Sequence, residues 1–120
     1  MNKVKVRYEA ASLMELQEKG RVIAMVKGME IGIFLVKGSL YAWRNVCPHA
    51  AAPVCVGVVC GTRLPSMVYE YQYGREQEII RCPWHGWEFD LTNGQHLADP
   101  NVRLRGYEVE TEGDQVYVLI

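Results

Sequence analysis

Hydrophobic and polar residues alternate along most of this chain in short runs, the pattern of strands that are buried on one face. The alternation begins in residues 3–9. Further runs of this kind are residues 21–26, 30–36 and 40–45, separated by tight turns at 27–28 and 37–39. Residues 11–19 instead carry Leu13, Met14 and Leu16 at helical spacing and end at Gly20. The pattern therefore predicts a strand, a short helix and an antiparallel meander.

The middle of the chain contains a second set of runs. Residues 50–61 are small and apolar, which suits backbone packed closely against a bulky group. Residues 67–73 and 78–81 predict a hairpin around Gly74. One face of that hairpin would carry Tyr69, Tyr71 and Tyr73. These tyrosines suit either a cover over the sheet or a surface for docking or dimerisation, because tyrosine is favoured in both places.

The C-terminal part of the chain predicts a last set of strands. These are residues 88–91, before a turn at Asn93-Gly94, and a hairpin formed by 105–111 and 115–120. The outer face of the hairpin would carry Glu108, Glu110 and Glu112. The simplest interpretation of this acidic row is a face exposed to solvent. Most of the chain is thus predicted to form short antiparallel strands.

Length and charge narrow the class of protein. The chain has 120 residues and a mass of 13.7 kDa, which fits one domain spanning 1–120. With 13 basic and 14 acidic residues, its formal charge is −1, so it has no basic field for nucleic acid or an anionic membrane. The apolar stretch 50–61 is shorter than the roughly 20 residues of a membrane span. Without a secretion signal, the expected location is the cytoplasm.

The four cysteines of the chain fall into two classes. In a cytosolic chain they are better interpreted as ligands or buried thiols than as a disulfide framework. Cys47 and Cys82 each have a histidine nearby, whereas Cys55 and Cys60 do not. Cys55 and Cys60 are expected to be small buried residues, and a redox-labile pair between them is the alternative.

Two short segments pair a cysteine with a histidine. Cys47-Pro48-His49 is separated by the 32 residues 50–81 from Cys82-Pro83-Trp84-His85. Such a set of ligands can hold one zinc ion or two irons bridged by sulfide. A zinc finger groups its cysteines in one segment and its histidines in another, whereas each segment here supplies one of each. This arrangement suits a centre with two chemically different irons, and a zinc site remains the alternative.

These two boxes, Cys-x-His and Cys-x-x-His, resemble those of the Rieske-type [2Fe-2S] proteins. Residues 82–90 are similar to the form found in ring-hydroxylating oxygenases and their ferredoxins, and the flanking segments 38–43 and 93–94 also resemble the family. The resemblance implies an all-β, antiparallel sandwich with a small cluster-binding subdomain. The two ligand loops would lie near 45–52 and 80–90.

The resemblance also implies the ligands of one [2Fe-2S] cluster per chain. Cys47 and Cys82 would bind the inner iron, and His49 and His85 the outer iron. Gly86 would let the backbone approach the cluster without a side chain. Neutral histidine ligands raise the reduction potential above that of an all-cysteine cluster.

Two departures from the family pattern refine this expectation. The positions that carry the disulfide in the respiratory branch hold Ala52 and Trp84, and the positions of its hydroxyl donors hold Trp87 and Phe89. A potential at the low end of the roughly −150 to +300 mV range of Rieske centres is therefore expected. The 32-residue gap is longer than is usual in small oxygenase ferredoxins, which predicts an insertion near 60–77.

The function implied by the resemblance is a soluble one-electron carrier that passes electrons from a reductase to an oxygenase-type acceptor. It would not be an enzyme, because a mononuclear iron site needs further histidines and only His96 remains. The alternatives are a docked small subunit of a larger, nitrite reductase-like reductase, and a structural zinc module. Trp84 and Trp87 would shield the cluster or dock partners, and Trp43 would lie in the core. Formation of a homo-oligomer is left open.

Overall fold

The computed structural model describes residues 5–48, 52–64, 72–84, 86–99 and 101–120, and for residues 60–64 and 72–77 it describes the backbone alone. The chain divides into two compact units. The first unit consists of residues 1–45 and 105–120, and the second consists of residues 46–104. Within the described ranges, no helix is long and apolar enough to cross a membrane.

Antiparallel strands account for most of the described chain, as the alternating pattern and the family resemblance predicted. In chain order the elements are β1 (Arg7–Ser12), α1 (Leu13–Lys19), β2 (Arg21–Val26), β3 (Met29–Val36), β4 (Ser39–Arg44), a 3-10 turn (Val54–Val56), β5 (Val58–Leu64), β6 (Gln72–Arg81), β7 (Glu88–Asp90), β8 (Gly106–Glu112) and β9 (Gln115–Leu119). All of the strand pairs within the described ranges are antiparallel.

The first unit is built on a six-stranded sheet with the order β1-β9-β8-β4-β3-β2. Two-residue turns connect β2 to β3 and β3 to β4. Lys27 and Gly28 have φ angles of 51° and 75°, and Lys37 and Gly38 have φ angles of 49° and 85°. Two successive positive φ angles twist the chain in the sense that joins neighbouring antiparallel strands tightly. The turns predicted at these positions are therefore confirmed.

The core of this unit is aliphatic and is closed by the short helix. One cluster of its buried residues consists of Leu16, Val26, Ile31, Ile33, Ala42, Val116 and Val118. Helix α1 starts two residues later than predicted, because residues 11 and 12 belong to β1. The side chain of Ser12 accepts a hydrogen bond from the backbone N–H of Glu15, which caps the helix, and Gly20 ends it in a left-handed conformation. Trp43 is 8% exposed, as expected for a core residue.

The acidic row on β8 pairs with basic residues near the N-terminus. Lys5 Nζ lies 2.8 Å from Glu108 Oε1, and the guanidinium group of Arg7 lies 3.4 Å from Glu110 and 2.9 Å from Glu112. The hydrogen bond to Glu112 raises the pKa of Arg7 above its ordinary value. All of these groups are well exposed, so the face is solvated, as expected, but its charges are largely balanced.

The second unit contains a three-stranded sheet with the order β5-β6-β7. The predicted hairpin around Gly74 is wrong, because Gly74 lies inside β6 and pairs with Thr62 of β5. The register shifts between Cys60 and Thr62, so Gly74 lies beside an irregularity in the pairing. Isolated glycines often mark such bulges within strands. Tyr69 and Tyr71 lie outside the described residues, and the insertion predicted near 60–77 stays a prediction.

A close contact between Gly106 and Trp43 gives a test of packing in the first unit. A Cβ atom on Gly106 would lie 2.6 Å from Cζ3 of Trp43. Gly106→Ala should therefore lower the free energy of unfolding by about 1–3 kcal/mol, the usual cost of overpacking. Chemical denaturation would measure it. The double variant that also carries Trp43→Phe should lose less stability than the sum of the losses in the two single variants. Strict additivity would contradict the contact.

Candidate metal centre

The first ligand loop follows the end of β4 and contains Cys47. The side chain of this residue is 1% exposed. Its backbone N–H donates a 2.7 Å hydrogen bond to the carbonyl group of Ala52, which closes the loop. Pro53 then leads into the 3-10 turn, where Val54 and Cys55 are both buried. The fold thus holds a buried thiol on a short, closed loop.

The second ligand loop connects β6 to β7 and contains Cys82, which is also 1% exposed. The residues at its base, Arg81 and Glu88, are cross-strand partners, and their side chains form an ion pair at 3.1 Å. The N–H of Cys82 donates to the carbonyl group of Trp87 at 2.7 Å. Gly86 donates to the carbonyl group of Cys82 at 2.9 Å and has a φ angle of 71°, a conformation that favours glycine.

The two loops are closed in the same way. In each, the N–H of the cysteine bonds to the carbonyl group five residues later, so four residues lie between the bonded pair. The predicted histidine ligand is the second of these four in the first loop and the third in the second loop. His49 and His85 themselves lie outside the described residues. Within the described ranges, no three metal-ligating side chains are grouped around one point.

The bases of the two loops meet at Gly57 and Arg81. Val58 of β5 pairs in register with Arg81 of β6, the residue that precedes Cys82. A Cβ atom on Gly57 would clash with the carbonyl oxygen of Arg81, so no side chain fits there. The segment that leaves the first loop therefore contacts the segment that enters the second loop. In the sequence, Gly57 is one residue of the small, apolar run 50–61.

The C-terminal side of the second loop is packed by aromatic rings. The ring of His96 lies edge-on to those of Trp87 and Phe89, with centroid distances of 4.4 and 5.2 Å. Phe89 is fully buried, whereas Trp84, within the loop, is 60% exposed. The two tryptophans of the loop thus have different surroundings. The structure has a turn at residues 91–93, close to the turn predicted at Asn93-Gly94, and His96 follows it.

The remaining cysteines are only partly described. Cys55 is 1% exposed, in agreement with the expected buried position. The side chain of Cys60 lies outside the described part of the chain, so a redox-labile pair with Cys55 stays a prediction. The donor chemistry fits an iron–sulfur group, because two buried cysteines stand on matched loops whose bases are in contact.

The sequence matches the Rieske [2Fe-2S] domain over residues 6–108. This range covers most of the chain, and the protein therefore belongs to the Rieske [2Fe-2S] family. The group that this family carries is a [2Fe-2S] cluster, which agrees with the two buried cysteines.

Individual proteins that the chain resembles are of two kinds. The chain is 31% identical to the ferredoxin component of a naphthalene 1,2-dioxygenase system from Pseudomonas aeruginosa, over 92% of this chain and 91% of that protein. The ferredoxin of carbazole 1,9a-dioxygenase from Nocardioides aromaticivorans IC177 superposes with a TM-score of 0.69 at 29% identity and covers 97% of both chains. A protein assigned as the small subunit of an NADH-dependent nitrite reductase from Mycobacterium tuberculosis gives a TM-score of 0.72 at 20% identity, over 98% and 97% of the two chains. This last likeness shows the fold alone.

Substitution of Gly57 tests the contact between the loop bases. Gly57→Ala should lower the free energy of unfolding by about 1–3 kcal/mol, because the added methyl group displaces the carbonyl group of Arg81. It should also lower the iron content of the purified protein. Val56→Ala is the matched control, since Val56 is 51% exposed and its truncation should change stability by less than about 0.5 kcal/mol. Full iron content in Gly57→Ala would contradict the contact.

Proposed function

We propose that this protein is a one-electron carrier that takes electrons from a reductase and delivers them to a terminal oxygenase. The observation that supports it best is the pair of buried cysteines on matched loops joined at their bases. The similarity to ferredoxin components of dioxygenase systems supports the choice of partners. The proposal includes a cytoplasmic location, where cysteines remain reduced and available as ligands.

In this proposal Cys47 and Cys82 hold the inner iron, and His49 and His85 hold the outer iron. When bound, the cluster supplies a site that accepts and releases one electron. The buried cysteine side chains keep water away from the iron–sulfur bonds. The backbone hydrogen bonds of both cysteines hold the loops closed, so little rearrangement accompanies electron transfer.

The identities of Trp87 and Phe89 affect the reduction potential that we expect for the cluster. Neither Trp87 nor Phe89 carries a hydroxyl group that could donate to a sulfur atom of the cluster. Hydrogen bonds to sulfur stabilise the reduced state, so their absence lowers the potential. We therefore propose a carrier at the low end of the range of Rieske centres, which suits delivery of electrons to an oxygenase.

The proposal assigns no catalysis of substrate chemistry to this chain. A mononuclear iron site of the oxygenase type uses two histidines and a carboxylate. The sequence has 3 histidines, and His96 alone remains once His49 and His85 bind the cluster. The Nδ1 atom of His96 accepts hydrogen bonds from the backbone N–H groups of residues 98 and 99, each at 3.1 Å. This residue is therefore engaged in its own loop.

Two other functions make different predictions. A small subunit docked to a large reductase should co-purify with that subunit, whereas a free carrier should not. A structural zinc module should be colourless, whereas a two-iron cluster absorbs visible light. The likeness to the nitrite reductase small subunit extends to the fold and favours neither partner.

Metal analysis of the purified protein tests the proposed ligands. The protein should contain two irons and two sulfides per chain, give a rhombic signal when reduced and have a midpoint near the low end of the roughly −150 to +300 mV range. His85→Ala and Cys47→Ser should each abolish the cluster, because each removes a ligand. Iron and sulfide assays with electron paramagnetic resonance provide the measurement.

Cys55→Ala is the matched control for the cysteine variant. Cys55 and Cys47 are both 1% exposed, but only Cys47 is a proposed ligand. The control should therefore retain iron, sulfide and the reduced-state signal. Zinc in the wild-type protein, or a normal spectrum in His85→Ala, would overturn the ligand assignment. A midpoint well above zero would contradict the argument from the missing hydroxyl groups.

The exposed Trp84 gives a test of the proposed partner. Trp84→Ala should weaken binding to the oxygenase component of a naphthalene dioxygenase system by about 1–2 kcal/mol, roughly five- to thirtyfold, because exposed tryptophans often anchor interfaces. The concentration dependence of oxygenase reduction measures this effect, and the midpoint potential should not change. Met25→Ala is the control, since Met25 is 66% exposed and belongs to the first unit. Equal effects of both substitutions would contradict docking through Trp84.

A further inference from the structure

His96 is the histidine that the proposed function does not use, and its backbone is held on both sides. Its N–H donates to the carbonyl group of Val102 at 2.9 Å, and the next residue, Leu97, donates to the carbonyl group of Glu88 at 3.0 Å. His96 also forms an antiparallel bridge with Phe89. The side chain therefore starts from a fixed position beside β7.

The imidazole ring is fixed as well. Nδ1 accepts hydrogen bonds from the N–H groups of Ala98 and Asp99, each at 3.1 Å. A nitrogen that accepts two hydrogen bonds carries no proton, so the neutral ring has its proton on Nε2. This assignment follows from the hydrogen-bond network.

The environment of Nε2 is unusual for a polar atom. It is buried, and no hydrogen-bond partner for it lies within the described ranges. A buried donor without an acceptor costs free energy, so its presence calls for an explanation. The ring packs edge-on against Trp87 at 4.4 Å and Phe89 at 5.2 Å, which indicates that its shape and its aromatic contacts are what the site uses.

We propose that His96 is a positioning residue, which holds Trp87 in place within the second ligand loop and thereby slows the loss of the cluster. Trp87 is the residue whose carbonyl group accepts the N–H of Cys82 and closes that loop. A ring that keeps Trp87 in place keeps the loop closed and limits the access of water and oxygen. The inference rests on the proposed function, because it requires the cluster to be held by this loop.

The test compares two residues, His96 and Asn93, whose side chains accept hydrogen bonds from nearby backbone N–H groups. His96→Asn retains an oxygen that can accept from the backbone N–H groups of residues 98 and 99 but removes the ring. Asn93→Ala is the matched control, because Asn93 is exposed and its Oδ1 accepts a hydrogen bond from the N–H of Gln95 at 2.8 Å. The measurement is the half-life of the visible absorbance of the holoprotein in air-saturated buffer, well below the unfolding temperature.

His96→Asn should assemble the cluster and lose it severalfold faster than the wild-type protein, and its visible circular dichroism should change. Asn93→Ala should decay close to the wild-type rate. A wild-type half-life in His96→Asn, or an equal loss in Asn93→Ala, would overturn the inference. Should His96→Asn fail to fold, His96→Phe decides the question, since it keeps a ring but loses the cap. It should decay like Asn93→Ala, and severalfold faster decay would refute the role of the ring.

Different results would contradict the proposed function and the positioning role of His96. Zinc in the wild-type protein, or the absence of iron from it, would contradict the proposed function. A wild-type cluster whose lifetime does not depend on residue 96 would leave the electron carrier intact and remove only the positioning role of His96.

Discussion

The approach of the Gly57 backbone to the carbonyl group of Arg81 is the constraint on which the proposed metal centre depends. Two cysteines far apart in the sequence can share one cluster only if their loops are held side by side. At this point the segment that leaves the first loop pairs with the segment that enters the second loop. A side chain at position 57 would clash with the carbonyl oxygen of Arg81, so the spacing of the loops depends on a glycine. This constraint is steric, and no hydrogen bond or charge can substitute for it.

Local signals in the sequence predicted the first unit well. The Lys-Gly turns and the glycine that ends α1 act through neighbouring residues, so their effect is visible in a short window. The strand pairing of the second unit was harder to predict. Gly74 has the sequence character of a turn, yet it lies inside β6 because the pairing with β5 tolerates an irregularity there. Such a pairing depends on residues distant in the sequence, which a local pattern does not contain.

The site shows the same division between local and distant information. The two Cys/His boxes are short and predicted both loops, and the structure places Cys47 and Cys82 in one compact unit, buried to the same extent. The sequence pattern did not identify Gly57 and His96 as residues that contact the second ligand loop or its base. Gly57 matters because of a carbonyl group 24 positions later in the sequence, and His96 because of the rings of Trp87 and Phe89. No spacing rule would have identified either residue.

The tryptophans of the second loop show how one loop can serve two opposed requirements. An electron carrier must let a partner approach the cluster, yet it must keep water and oxygen away from the iron–sulfur bonds. Trp84 is 60% exposed and available to a partner, whereas Trp87 is packed against His96 and its carbonyl group closes the loop. The two side chains are separated by only two residues, and Gly86 between them has a left-handed conformation. The chain reverses its direction within this loop, because β6 and β7 pair antiparallel, so adjacent parts of the loop can face different surroundings. In the proposed function, access to the cluster falls to Trp84 and its protection to Trp87.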